Sequence, residues 1–233
     1  MNYRFDWSIP FRSPYVDWLI HGAELTLVIA VVTTVTSLLV GLAVCTGSLS
    51  ARRPLRAMAG LYIEVTRNVP GLFWIVFFYF VFPELLPEAL GKPLAAYPHY
   101  AVVASLLALT VDNSPYVAEI LRSSIQAVSP GQWEASAAYG FSRRQQFLFI
   151  VLPQALRTAA GPLGTRTIHN FKNTSLCMAI STPELTWATQ QIESLTFRGI
   201  EATLVATGFY VFIGVTLATL VNLAERRHRF RRS

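Results

Sequence analysis

Charge is scarce in this sequence. Charged side chains make up 14% of the 233 residues, where a soluble domain carries about 25%, and more than half of the residues are apolar. That balance excludes an ordinary soluble core and points to lipid as the solvent. Acidic residues are the rarer sign, 13 against 19 Lys and Arg. The basic excess does not make a nucleic-acid surface, because Lys and Arg gather at the ends of apolar runs rather than along an aromatic-laced face. Cysteine is nearly absent. Cys45 and Cys177 each sit inside an apolar stretch without CxxC spacing, so they read as packing residues and not as a disulfide or metal pair. A GxxxxGK[S/T] nucleotide loop, a GxSxG elbow and an HExxH metal motif are all missing. Glu64 and Glu119 stand alone on different apolar runs. No catalytic residues, no metal and no cofactor bound by the chain itself are expected.

What is present is apolar length. Leu25 to Cys45 carries no charge and is long enough to cross a bilayer as a helix, and Ala202 to Leu223 is a second such run. Between them three less pure candidates contain polar residues, as helices do when they face one another or a wet path. The pattern predicts an all-α transmembrane chain of about five spans, near 20–48, 55–82, 97–124, 149–170 and 202–223, forming one domain over 1–233. Met1 to Tyr15 lacks a compact basic start and no small-residue cleavage site follows the first run, so that run reads as a retained helix and not a signal peptide. Arg52, Arg53, Arg56, Arg122, Arg143, Arg144, Arg157 and the terminal Arg226, Arg227, Arg229, Arg231 and Arg232 fall on one side. Arg4, Arg12, Lys92 and Arg198 fall on the other. The heavier side is predicted to be cytoplasmic, with the N-terminus outside and the C-terminus inside.

The link between the third and fourth runs, about 129–148, is too polar to span and too well punctuated to be slack. Ser129 can cap a helix with Pro130 in its first turn and Gln132 placed for a capping box. Gly140 supplies a stop, and Ser142 with Gln145 starts a second short helix. Two short helices joined at a glycine predict a compact knuckle, unless the first is simply an amphipathic helix on the headgroups.

Glu134-Ala135-Ser136, Gly140, Ile150 and Leu152-Pro153, at these spacings, resemble the "EAA" loop of ABC-importer permeases, with Ser136 where alanine is usual. Arg67-Asn68-Val69-Pro70, Ala118-Glu119-Ile120, Pro130-Gly131-Gln132-Trp133, Leu152-Pro153-Gln154-Ala155 and Lys172-Asn173-Thr174-Ser175-Leu176 are similar to the polar amino acid branch, nearest its glutamate/aspartate type. The resemblance covers roughly residues 20–225. It implies a type I importer permease of a bacterial inner membrane, working with a second identical or homologous permease and two ATPase subunits that bind ATP and Mg. A soluble binding protein would deliver substrate to the outer loops, such as Pro83 to Pro98. It also implies that the 129–148 loop is a coupling helix: Glu134 a polar contact to the ATPase, Ala135 and Ser136 allowing close approach, Gly140 turning the chain. An ATP-independent secondary transporter is the competing class, but it would usually show more spans or an inverted repeat.

Ionisable groups at bilayer depth cost at least about 2.5–3.5 kcal/mol on insertion scales, so each needs a reason. Arg67, one turn beyond Glu64 and beside Asn68, suits a local ion pair. Pro70 should kink or interrupt the second span. Asp112 and Asn113 are expected to interrupt the third before Pro115. Asp112 and Glu119 share a helical face, and two readings stand: either meets a substrate ammonium, or either pairs with Arg166 or Lys172. In the fourth span Gly161-Pro162 can bend the helix, after which Arg166, His169, Lys172 and Asn173 make a cationic stripe suited to carboxylates. The opposing reading has His169 as neutral packing and Lys172 neutralising Asp112. Pro183 to Ser194 predicts a short amphipathic helix with Trp187 as an interfacial anchor.

Overall fold

The computed structural model describes residues 4–229, with side chains to residue 223. Arg231 and Arg232, and the side chains of Arg226, Arg227 and Arg229, therefore lie outside the described residues. Every regular element among those residues is helical. A 3-10 turn at Ile9–Phe11 precedes α1 (Tyr15–Ser48) and α2 (Arg53–Asn68). Next, α3 (Gly71–Val76) runs through a π turn, Phe77–Val81, into α4 (Phe82–Leu85). The outer loop holds α5 (Glu88–Ala95), and α6 (Tyr100–Gln126) returns through the molecule. The knuckle follows as α7 (Pro130–Ala138) and α8 (Arg143–Gln145), joined by a π segment, Gln146–Val151, to α9 (Leu152–Asn173). A 3-10 stretch, Thr174–Ile180, leads to α10 (Leu185–Thr196) and α11 (Gly199–Arg229).

Four helical runs are long and apolar enough to cross a membrane: α1, α6, the run 143–180 built on α9, and α11. A fifth crossing requires α2 with α3–α4, and these meet at 104°. The straight second span is thus corrected to a broken one. Pro70 offers no N–H to continue α2, and Val69 before it is held extended at ψ 127°. Two other expected breaks do not occur. α6 continues through Asp112, Asn113 and Pro115, and α9 continues through Gly161-Pro162. One absent N–H does not end a helix whose neighbours hold it on several sides; Pro115 is buried among such neighbours.

α6 is the central strut, with 56% of its apolar window buried against 6% for α11. It packs along α1 and also meets α2, α3 and α9. α1 explains how. Its large aliphatics, Val28, Val31, Val35, Leu39 and Leu42, point outward, while Thr26, Thr33, Ser37, Gly41 and Cys45 are buried. Small residues let backbones approach where lipid supplies no hydrophobic drive between helices. At Gly41 a Cβ would stand 2.6 Å from Val117, so only glycine permits this crossing. Cys45 and Cys177 are buried free thiols in separate apolar clusters, as packing residues should be. Trp187 is half-buried against the cluster of Ile9, Leu19 and Ile192, which corrects its reading as a free interfacial anchor.

Candidate functional site

The knuckle is built by short-range hydrogen bonds. Ser129 Oγ accepts the Gly131 N–H at 3.3 Å and its carbonyl accepts Gln132 N–H at 3.0 Å, so the expected capping box with Gln132 is not formed. The box is found instead at Ser142, whose N–H donates to Gln145 Oε1 (2.8 Å) while its Oγ accepts Gln145 N–H (3.4 Å). Between them Gly140 takes φ +80°, its N–H donates to Ala137 O (2.9 Å), and Phe141 N–H donates to Ser136 O (3.1 Å). These two bonds close α7 as a Schellman motif, which needs the left-handed residue that glycine supplies. Trp133 and Phe147 hold the knuckle on Val128, Val151 and Ala155.

That packing sorts the motif residues. Glu134, Ala135, Gly140 and Tyr139 are exposed, Tyr139 at 85%. Ser136 points inward, 5% exposed, its Oγ donating to Trp133 O at 2.9 Å. Its expected place on the approach face is corrected, since its position on α7 faces the packed side. Ile150 and Leu152 are half-buried and Pro153 is exposed in the first turn of α9, so the three form the knuckle's root rather than its outer face.

The second cluster lies midway along α6. Arg166 reaches across from α9: its Nε donates to Asn113 Oδ1, and its Nη2 lies 3.4 Å from both the carbonyl and Oδ2 of Asp112. Asn173 Nδ2 donates to the same Oδ2 at 3.3 Å. Gly71 at the start of α3 abuts the carboxylate, so closely that a Cβ there would be 3.0 Å from Oδ1. The guanidinium of Arg166 lies over the Tyr116 ring at 3.8 Å, and Arg67 approaches that ring at 5.3 Å. Beside this cluster opens a cavity of about 620 Å³, lined by Arg67, Tyr116, Glu119, Ile120, Ser123, Gly161, Pro162, Thr165, Arg166 and His169. Arg122 grips both oxygens of Glu119, at 2.9 and 2.8 Å.

Of the predicted path residues, Arg67, Asp112, Asn113, Arg166, His169 and Asn173 therefore gather around Tyr116. Asn68 does not: its amide donates to Glu64 O of its own helix. Lys172 does not either, since it lines a separate groove against α11. The cation that neutralises Asp112 is Arg166, not Lys172. Among the described residues Arg67 makes no ion pair with Glu64; the bend at Pro70 leaves it facing Tyr116. Sequence reasoning missed Tyr116, although an aromatic one turn after Asp112 in an otherwise aliphatic helix was a usable signal. It also missed Glu184, fully buried, whose carboxylate accepts N–H groups of Thr186 and Trp187 and the hydroxyl of Tyr210.

Residues 37–230 match the family described as binding-protein-dependent transport system inner membrane component. The glutamine transport system permease protein GlnP of Escherichia coli (strain K12) is 31% identical over 224 residues, covering 96% of this chain and 98% of that relative. The glutamate/aspartate import permease protein GltK of Escherichia coli O157:H7 is 30% identical, covering 97% and 99%. A crystal structure of an amino acid ABC transporter with histidines superposes with a TM-score of 0.85 at 28% identity, over 97% of this chain and 100% of that one. With the all-helical fold, the knuckle and this match over most of its length, the chain belongs to the binding-protein-dependent inner membrane components: it is an ABC-importer permease, a transport subunit and not an enzyme.

Proposed function

We propose that this chain forms the translocation path of an ATP-driven importer for polar amino acids, glutamate or aspartate in particular. The observation that carries the reading is the cavity beside Tyr116, which offers both signs of charge at mid-span depth. An α-amino acid is a zwitterion. Its carboxylate can meet Arg166 Nη1, which makes no hydrogen bond among the described residues, and its ammonium can meet the remaining lone pairs of Glu119. Asp112 cancels Arg166 and Arg122 cancels Glu119, which leaves Arg67 as the surplus charge on the wall. A surplus cation favours a substrate with a second carboxylate. The relatives' names, glutamine and glutamate/aspartate permeases, support the substrate class.

In this reading two permeases, identical or homologous, enclose the path, and two ATPases hold ATP and Mg. A soluble binding protein loads the outer side. The knuckle docks through Glu134, Ala135 and Tyr139, while Gly140 shapes it and Ile150, Leu152 and Pro153 pass its motion into α9. The excess of Arg at the knuckle end places that end in the cytoplasm of a bacterial cell, with the N-terminus outside.

Uptake by the complete importer in proteoliposomes tests this. Glu119→Gln should depress uptake of every amino acid substrate. Arg67→Ala should lower glutamate uptake relative to glutamine by about tenfold, the value of one lost charge contact near 1.4 kcal/mol. Unchanged preference in Arg67→Ala would refute the acidic substrate, and uptake without ATP would refute the ATP-driven class.

A further inference from the structure

A second groove, about 540 Å³, lies between α9 and α11. Its wall is apolar along Val211, Gly214, Val215 and Ala218, with Lys172 and Thr207 at one end. The hydroxyls on the wall are satisfied within the fold: Ser175 Oγ donates to Lys172 O at 2.9 Å, Thr207 Oγ1 to Thr203 O at 2.7 Å, and Tyr210 OH to Glu184 at 3.0 Å. Lys172 Nζ is different. Among the described residues it has no carboxylate within ion-pair distance and no hydrogen bond, although it stands in a membrane span. An ammonium in such surroundings requires an anion or water.

Depth narrows the choice. Asp112 is close to the midpoint of α6, and Arg166 pairs with it, so Arg166 marks the middle of the bilayer. Lys172 is six residues further towards the outer end, about 9 Å at 1.5 Å per residue. The hydrocarbon half-thickness is about 15 Å, and a lysine stem extends to the headgroup boundary from that depth. From Thr207, at the same end of the groove, α11 descends eleven residues to Ala218, or about 16 Å, the length of one leaflet. Gly214 leaves the floor open, with nothing within 4 Å of where its Cβ would stand.

We infer that this groove binds one outer-leaflet phospholipid, its phosphate paired with Lys172 and one acyl chain laid along Val211 to Ala218. The inference rests on the outward placement of the end of α9 given above. The site shares no wall residue with the cavity beside Tyr116, so the lipid is a structural ligand between α9 and α11 and not cargo. A phosphate satisfies the lone ammonium and an acyl chain satisfies the apolar wall, which an aliphatic helix alone would not do.

Native mass spectrometry of the complete importer, stripped of lipid and titrated with dioleoyl phosphatidylglycerol, tests the inference. Lys172→Met should weaken binding of the tightest lipid at least about fivefold, and Lys172→Arg should restore it. Gly214→Leu should fill the floor and abolish that binding with the charge intact, and Ala218→Leu serves if the first blocker fails to fold by thermal melting. Equal lipid binding in wild type, Lys172→Met and the folded blocker overturns the inference. So does a permease-to-permease disulfide formed by Val215→Cys in membranes, which would put a second copy in the groove. Uptake is not the readout, so a wrong substrate leaves the result unchanged. An inverted topology is detected separately by labelling Tyr97→Cys with a membrane-impermeant thiol reagent.

Discussion

The knuckle and the mid-span cluster are both polar devices in an apolar protein, yet they are held together in opposite ways. In the knuckle every defining bond joins residues two to five apart: Ser129 with Gly131, Ser142 with Gln145, Phe141 with Ser136. In the mid-span cluster the defining bonds join residues more than fifty apart: Arg166 with Asp112 and Asn113, Asn173 with Asp112. The first can fold on its own scale and be replaced piecemeal. The second exists only when α6 and α9 are already side by side, and each member depends on the rest. A local device suits a part that must move as a rigid knob, and a long-range one suits a part whose geometry should change with helix position.

Breaking the long-range device should therefore cost most. Asp112→Ala strands the Arg166 guanidinium, only 15% exposed, without its counter-charge. Losing one partner of a buried pair costs about 3–5 kcal/mol, whereas removing both is far milder. Thermal unfolding of the purified importer should show Asp112→Ala well below wild type and Asp112→Ala with Arg166→Met recovering most of the loss. If the double variant is no better than the single one, the pair is not what holds α6 to α9 there.

This contrast also governs what the sequence could disclose. Gly140 and the Ser142–Gln145 box were legible because a cap is a fixed offset along the chain. The ladder of small residues on α1 was hidden inside a run read only as apolar, since Thr, Ser and Gly do not lower its hydropathy enough to stand out. Choosing Arg166 over Lys172 as the partner of Asp112 needed the phase of α9 against α6, and no offset encodes that. The continuity of α6 and α9 through Pro115 and Pro162 was misjudged for the same reason: proline's local rule is absolute only where no neighbouring helix supports the strand of chain around it. Glu184 escaped notice because a cap on a short outer helix is ordinary. Its full burial against Thr26 and Tyr210 is a property of three helices meeting.

A smaller effect is expected where the knuckle's one left-handed residue is replaced. Gly140→Ala meets no steric neighbour, because nothing lies within 4 Å of the added Cβ, so its cost is purely the φ of +80°. That cost is about 1–2 kcal/mol, a factor of about 5–30 in the closed population of the turn. Hydrogen exchange at Phe141 should quicken by that factor while the amides of α6 stay unchanged, and Gly140→Asn should lie between the two. Slower exchange across α6 as well would mean the knuckle is not an independent unit.

The smallest effect sharpens the claim of locality. Ser129 and Ser142 both cap helices, but Ser129 holds one N–H at 3.3 Å while Ser142 exchanges two bonds with Gln145. Replacing a cap by alanine costs about 1 kcal/mol, and the reciprocal bond adds to it. Ser142→Ala should therefore exceed Ser129→Ala, measured as faster exchange of the Gln145 amide against that of Gly131. A double-mutant cycle between Ser142 and Gln145 should show coupling, because each side chain satisfies the other's backbone, whereas Ser129 and Gln132 should be additive. Coupling between Ser129 and Gln132 would require a capping box there, and the geometry of α7 has Ser129 bonded to Gly131 instead. The order of the two serines thus decides whether the knuckle's rigidity enters at its glycine-joined second helix, next to α9, or at its first.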